Sequence, residues 1–132
     1  MLRSLLNVTL IVGMSVFASA VFADEGVVEK IIAVGINDAY IPSGFASDTE
    51  AYVVVNGLFP NSCYSLTESK VDHVSSHQHE VRTMATVKQS ICLRVLVPFT
   101  KEISLGKLNT GRHTVRFVAE DGTSFEKSMS VE

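Results

Sequence analysis

Residues 114–131 have the sequence TVRFVAEDGTSFEKSMSV, which contains the clearest strand pattern in the chain. Two runs that alternate between apolar and polar side chains flank Asp121-Gly122, a dipeptide typical of tight hairpin turns in which both central residues have positive φ. In the second run, Lys127 falls on the same strand face as the apolar Phe125 and Met129. We therefore expect Lys127 at a sheet edge or at a bulge that turns it outward. The pattern predicts a β-hairpin. Its inward face consists of Val115, Phe117, Ala119, Phe125, Met129 and Val131.

Further strand candidates precede this hairpin at short spacing, and no helical apolar stripe longer than two turns accompanies them. Apolar side chains alternate in 80–88 and in 91–97, and we expect Pro98 to end the latter strand because proline cannot donate to a ladder. Many short strands separated by turns are typical of a sandwich or barrel. The sequence therefore predicts an all-β domain of about seven or eight strands. Besides 114–119 and 124–131, the predicted strands are 27–36, 51–58, 63–74, 80–88, 91–97 and 102–105.

Length and composition restrict the class of protein. The chain has 132 residues, which suits one domain rather than two. Its apolar content of 46% excludes a disordered chain. A formal net charge of −3 gives no basic surface for nucleic acid, so we expect no nucleic-acid partner.

The first residues predict a signal peptide. Arg3 is followed by an apolar run and then by small residues that suit signal peptidase. Cleavage after Ala23 is preferred because it leaves a polar start, and cleavage after Ala20 is the alternative. A retained membrane anchor is disfavoured because the apolar run is short and interrupted by polar residues. We therefore expect residues 1–23 to be removed, and residues 24–132 to form one periplasmic or secreted β-sandwich domain with no membrane span.

The two cysteines, Cys63 and Cys92, both follow the predicted cleavage site. In an exported chain, an even pair is most simply a disulfide. Closing the loop between them would stabilise the domain by roughly 3–4 kcal/mol. A redox or zinc role is disfavoured because the chain has no Cys-x-x-Cys motif.

Residues 105–117, LGKLNTGRHTVRF, resemble the corner before the penultimate strand of immunoglobulin-like and fibronectin-type sandwiches. The resemblance is particularly to such domains in small exported bacterial proteins. Their corner carries a tyrosine whose hydroxyl bonds to nearby backbone. His113 occupies that position here, and its imidazole N–H can make a similar bond. The resemblance implies an immunoglobulin-like antiparallel sandwich and specifies no activity.

A histidine-rich stretch, DHVSSHQHE at residues 72–80, contains three of the four histidines. Imidazole is a good ligand for Zn²⁺ and Cu²⁺. A hairpin turn at Ser75-Ser76 would place Asp72 opposite His79, so that several ligands converge at the tip. The candidate metal ligands are His73, His77 and His79. The alternatives are a solvated hairpin tip that binds no cofactor and a pH-sensing cluster.

The long connection 37–50 is a candidate binding loop through Tyr40 and Phe45, or a crossover whose aromatic side chains cap the core. An open sheet edge is a second candidate surface. We expect no enzyme, because the chain has no Gly-x-Ser-x-Gly elbow and no Gly-rich phosphate loop. We therefore expect an exported, non-enzymatic binding module of the cell envelope, whose partner is a protein or an envelope glycan. The alternative is a periplasmic protein that binds zinc or copper.

Overall fold

The structure, a computed structural model, describes Gly26 and residues 28–132, and each regular element of this part is a β-strand. The predicted signal peptide, 1–23, and both cleavage sites lie outside the described residues. Within them, no helix is long and apolar enough to cross a membrane. The all-β prediction is confirmed. The strands are β1 (Glu29–Val34), β2 (Asp38–Tyr40), β3 (Glu50–Phe59), β4 (Tyr64–Leu66), β5 (Lys70–Ser75), β6 (Gln78–Lys88), β7 (Val97–Lys107), β8 (Gly111–Val118) and β9 (Ser124–Val131).

The strands form two sheets that pack as a sandwich. One sheet has six strands and is organised around β6. The first half of β6 pairs with β5 and β8, and its second half pairs with β4 and β1. The other sheet has the order β2-β3-β7. The sandwich prediction is confirmed, but the sheets are not wholly antiparallel, because β6 and β8 run parallel.

The predicted hairpin is present as β8 and β9, with Phe117 opposite Phe125 and no register shift. Its turn differs from the prediction. Gly122 N–H donates to Ala119 C=O at 3.0 Å, and of the turn residues only Gly122 has positive φ. This is a type I turn followed by a left-handed glycine, the pattern of longer hairpin loops. Lys127 lies on the sheet-edge strand β9, as expected, and pairs with the Asp38 carboxylate at 3.0 Å.

The core lies between the sheets, where alternate side chains of the long strands meet. A smaller cluster at one end is built on Phe59 and Phe99, whose rings stack with centroids 4.4 Å apart. Gly57 lies against this stack, and a Cβ there would approach Phe99 Cζ to 2.5 Å, so the packing requires glycine. The main cluster of buried residues comprises Ala39, Phe45, Ala51, Val53, Val55, Val81, Ile103, Leu105, Leu108, Val115, Phe117, Met129 and Val131.

Three strand predictions were wrong in extent. Residues 89–96 have no regular structure, and β7 begins at Val97 and continues through Pro98. Proline is tolerated there because it is the second residue of a strand that pairs only with β3 among the described strands. The predicted strand 63–74 is divided into β4 and β5, and the long connection 37–50 contains the short strand β2.

Candidate functional site

Strand β6 joins two unusual regions of the molecule. All four histidines of the chain gather where β6 begins, and an exposed apolar segment follows where it ends. With 11 residues, β6 separates these regions by roughly 35 Å. We call His73, His77, His79 and His113 the histidine cluster, and residues 89–96 the apolar loop.

The histidine cluster is assembled from three strands and a turn. His73 of β5 lies opposite His79 of β6, and His113 comes from β8. His79 is only 2% exposed and His113 0%, whereas His73 is exposed. The turn lies at Ser76-His77, one residue later than the predicted Ser75-Ser76. In addition, β5 contains a register shift between His73 and Ser75. Asp72 therefore lies opposite Glu80, and the predicted position opposite His79 was wrong.

Two hydrogen bonds connect three of the rings in series, and a third joins the last ring to the backbone. His73 Nδ1 lies 2.7 Å from His79 Nδ1, and His79 Nε2 lies 2.9 Å from His113 Nδ1. His113 Nε2 lies 2.6 Å from the carbonyl oxygen of Asn109, which can only accept. His113 Nε2 must therefore donate, and in neutral rings this fixes every other proton: His79 Nε2 donates to His113, and His73 Nδ1 donates to His79. All three bonds then point in one direction, from the exposed His73 through the buried His79 and His113 to the backbone of Asn109.

The neutral form of His79 is favoured at pH 7. Burial lowers the pKa of His79 to about 4, and the nearby rings of His73, His113 and His77 make smaller contributions in the same direction.

The predicted metal site is not supported. The facing nitrogens of His73, His79 and His113 bond to one another instead of converging on a common point. His77 is also engaged, with Nδ1 2.9 Å from Ser76 Oγ and Nε2 3.3 Å from the carbonyl oxygen of Thr110. Within the described part of the chain, no group of three or more His, Cys, Asp or Glu residues is arranged to hold a metal ion.

The backbone bond predicted for His113 is present, since Asn109 lies four residues upstream. The His113 imidazole N–H is the donor of this bond, and the Asn109 carbonyl oxygen accepts it. His77 stacks on His113 with ring centroids 4.5 Å apart. Gly111 makes room for this stack, because an added Cβ would lie only 3.1 Å from His77 Nε2. Its φ of +129° also favours glycine. What the sequence did not indicate is that this corner residue joins the other three histidines.

The apolar loop exposes large aliphatic side chains: Ile91 is 102% exposed, Leu93 69% and Leu96 67%. Its backbone is nevertheless held. The predicted disulfide between Cys63 and Cys92 is present, with Cα atoms 5.4 Å apart. Leu93 N–H donates to Ser62 Oγ at 2.8 Å, and Ser62 N–H donates to Leu93 C=O at 3.1 Å. These contacts fix the loop while its aliphatic side chains face solvent.

The two residues of the predicted binding loop have different surroundings. Tyr40 is exposed on β2. Phe45 is buried and lies edge-on to Tyr52 with centroids 5.3 Å apart, so it caps the core and has no surface to offer a partner. This corrects the expectation for Phe45. The predicted open edge is present as β7, which pairs on one side only among the described strands.

Comparison with known proteins places the domain in a family. No curated protein and no solved structure matches the chain. The family model of the ORF11 beta-sandwich domain matches residues 53–131, more than half of the chain. The matched segment contains the histidine cluster, both cysteines and the apolar loop. The chain therefore belongs to the ORF11 beta-sandwich domain family.

Proposed function

We propose that this domain is an exported, non-enzymatic interaction module of the cell envelope, and that the apolar loop is its contact surface. The observation that carries the proposal is the exposure of Ile91, Leu93 and Leu96 on a backbone already fixed by a disulfide. Contiguous exposed apolar side chains mark interaction sites in soluble proteins. A loop that is ordered before binding loses little conformational entropy when it binds.

The histidine cluster supports a structural rather than a catalytic role. Histidine acts as a general base through an accessible ring nitrogen. Both nitrogens of His79 and of His113 are occupied by hydrogen bonds, and both rings are buried. They therefore serve to hold β5, β6 and β8 together at this end of the sandwich.

The disulfide supports export, because such bonds persist in oxidising compartments and are rare in the cytosol. Cys63 and Cys92 also close the base of the apolar loop. An oxidising compartment keeps this disulfide formed, and the disulfide holds the apolar loop in the conformation that we propose for contact.

Site-specific photo-crosslinking tests the proposal. A photo-reactive side chain at Leu93 is expected to crosslink to an envelope component in intact cells. The matched control is the same probe at Ile31, which is similarly exposed on β1, at 62%. Crosslinks at Leu93 that disappear in Ile91→Ser/Leu96→Ser would support the proposal. Equal crosslinking from both positions, or none from Leu93, would overturn it.

A further inference from the structure

We infer that the partner of the apolar loop is a lipid bilayer surface with anionic headgroups, into which the loop inserts its aliphatic side chains. This inference rests on the proposed function, since it names the partner of the same loop. Three properties of the loop carry it: its side-chain chemistry, its local charge and the state of its backbone.

The side-chain chemistry suits acyl chains. The exposed hydrophobic side chains of the apolar loop are all aliphatic: Ile91, Leu93, Val95 and Leu96. They offer no hydrogen-bonding group or aromatic ring, the features by which protein interfaces obtain directional anchors. A stable protein interface needs about 800 Å² from each partner, whereas four exposed aliphatic side chains on one short loop suit shallow insertion. Each aliphatic side chain transferred from water to an apolar medium raises the partition coefficient towards that medium by about tenfold or more.

The local charge is opposite to that of the whole chain. The chain has a formal net charge of −3, yet the segment from Lys88 to Lys101 contains no Asp or Glu. Arg94 is exposed between the aliphatic side chains, whereas Lys88, at the base of the loop, lies opposite the exposed Glu29 of β1 and adds no net charge there. Lys101 is engaged with the carbonyl oxygen of Thr67 and is not counted. Each cation near an anionic surface strengthens binding by about fivefold, and long basic side chains reach headgroups while their stems stay in apolar surroundings.

The backbone of Leu93, at the centre of the loop, is paired, and an unpaired N–H or C=O is costly in an apolar medium. Both the N–H and the C=O of Leu93 are bonded to Ser62, and Val95 N–H donates to Leu93 C=O at 3.0 Å. The disulfide replaces two polar thiols with an apolar bridge next to Leu93. Leu93 therefore enters the headgroup region with its own N–H and C=O paired.

Fluorescence provides the test, because the chain contains no tryptophan. In the disulfide-bonded exported protein, Leu93→Trp reports insertion, and Ile31→Trp is the matched exposed control on β1. The probes are vesicles of phosphatidylglycerol with phosphatidylcholine, and vesicles of phosphatidylcholine alone. We expect a blue shift for Leu93→Trp on the anionic vesicles and none for Ile31→Trp. The absence of a shift at Leu93, or equal shifts at both positions, would overturn the inference.

Co-sedimentation with the same vesicles separates the two contributions in the otherwise wild-type chain. Leu93→Ser/Leu96→Ser is expected to weaken binding by more than tenfold. Arg94→Gln is expected to weaken binding to the anionic vesicles by about fivefold and to reduce its dependence on salt. If wild type does not bind vesicles but Leu93 crosslinks to an envelope protein, the lipid inference fails and the proposed function stands. If neither occurs, both fail.

Discussion

The two ends of β6 have opposite relations to water. At its start, polar rings are buried, and hydrogen bonds between the rings and to Asn109 compensate for the lost water. At its end, apolar side chains are exposed, and the backbone beneath them is held by a disulfide and by Ser62. The comparison teaches that a segment can have a fixed backbone while its side chains contribute nothing to the stability of the fold. We expect the histidine cluster to contribute to the free energy of unfolding and the side chains of the apolar loop to contribute almost nothing.

The largest expected effect is at the buried end of the histidine series. His113→Ala removes a fully buried ring and leaves His79 Nε2 and the Asn109 carbonyl without their partners. Cavity formation and the loss of these hydrogen bonds should lower the free energy of unfolding by about 3–5 kcal/mol. Urea unfolding at pH 7.5 measures this.

The exposed end of the same series provides the control. His73→Ala removes one hydrogen bond at the surface, so a loss below about 1 kcal/mol is expected. Equal losses in the two variants would mean that burial does not govern the cluster.

The disulfide is the next test, because it belongs to the exposed end yet should stabilise the fold. Cys63→Ser/Cys92→Ser removes the covalent loop and should lower the free energy of unfolding by about 3–4 kcal/mol. The measurement is urea unfolding of the double variant beside the oxidised wild type. A loss below about 1 kcal/mol would show that the bridge organises only the apolar loop.

The pH dependence of stability isolates His79. Its pKa is about 4 in the folded protein, because of burial, and about 6.5 when unfolded. Above pH 6.5 the ring is neutral in both states and the full stability is present. Between pH 6.5 and 4 only the unfolded state takes up the proton, so the free energy of unfolding falls, by up to roughly 3 kcal/mol. Below pH 4 this group causes no further loss.

Urea unfolding of wild type and His79→Gln at pH 7.5 and pH 5 measures this contribution. The variant should be less stable at pH 7.5 but lose less on acidification, because a glutamine does not titrate. Identical losses in the two proteins would show that His79 is not the group responsible. The carboxylates are shared by both proteins and so cancel in the comparison.

What could be predicted from the sequence depended on whether the interaction was local. The β8–β9 hairpin and the bond from His113 to Asn109 both arise within a few residues: the alternating pattern indicated the hairpin, and the resemblance of residues 105–117 to a sandwich corner implied a backbone bond from His113. The histidine cluster depends on the parallel pairing of β6 with β8, which no local pattern specifies.

The apolar loop was missed for a different reason. Alternation of apolar and polar residues shows that a segment is able to form a half-buried strand. It does not show that a neighbouring strand is available to pair with it, and residues 91–96 have none among the described residues. The partner of Asp72 also differed from the prediction, because the turn lies one residue later and β5 contains a register shift between His73 and Ser75.

The smallest expected effect sharpens the comparison most. Leu93→Ser changes an exposed side chain, so the free energy of unfolding should change by no more than about 0.5 kcal/mol. Leu105→Ala, at a buried position in β7, is the matched control and should cost about 2–5 kcal/mol. Urea unfolding of both variants at pH 7.5 provides the measurement. A loss above 1 kcal/mol for Leu93→Ser would mean that the loop packs against the domain. A negligible loss in the free energy of unfolding would show that the exposed side chain of Leu93 does not stabilise the fold. Contact with a partner would then be the reason for its exposure.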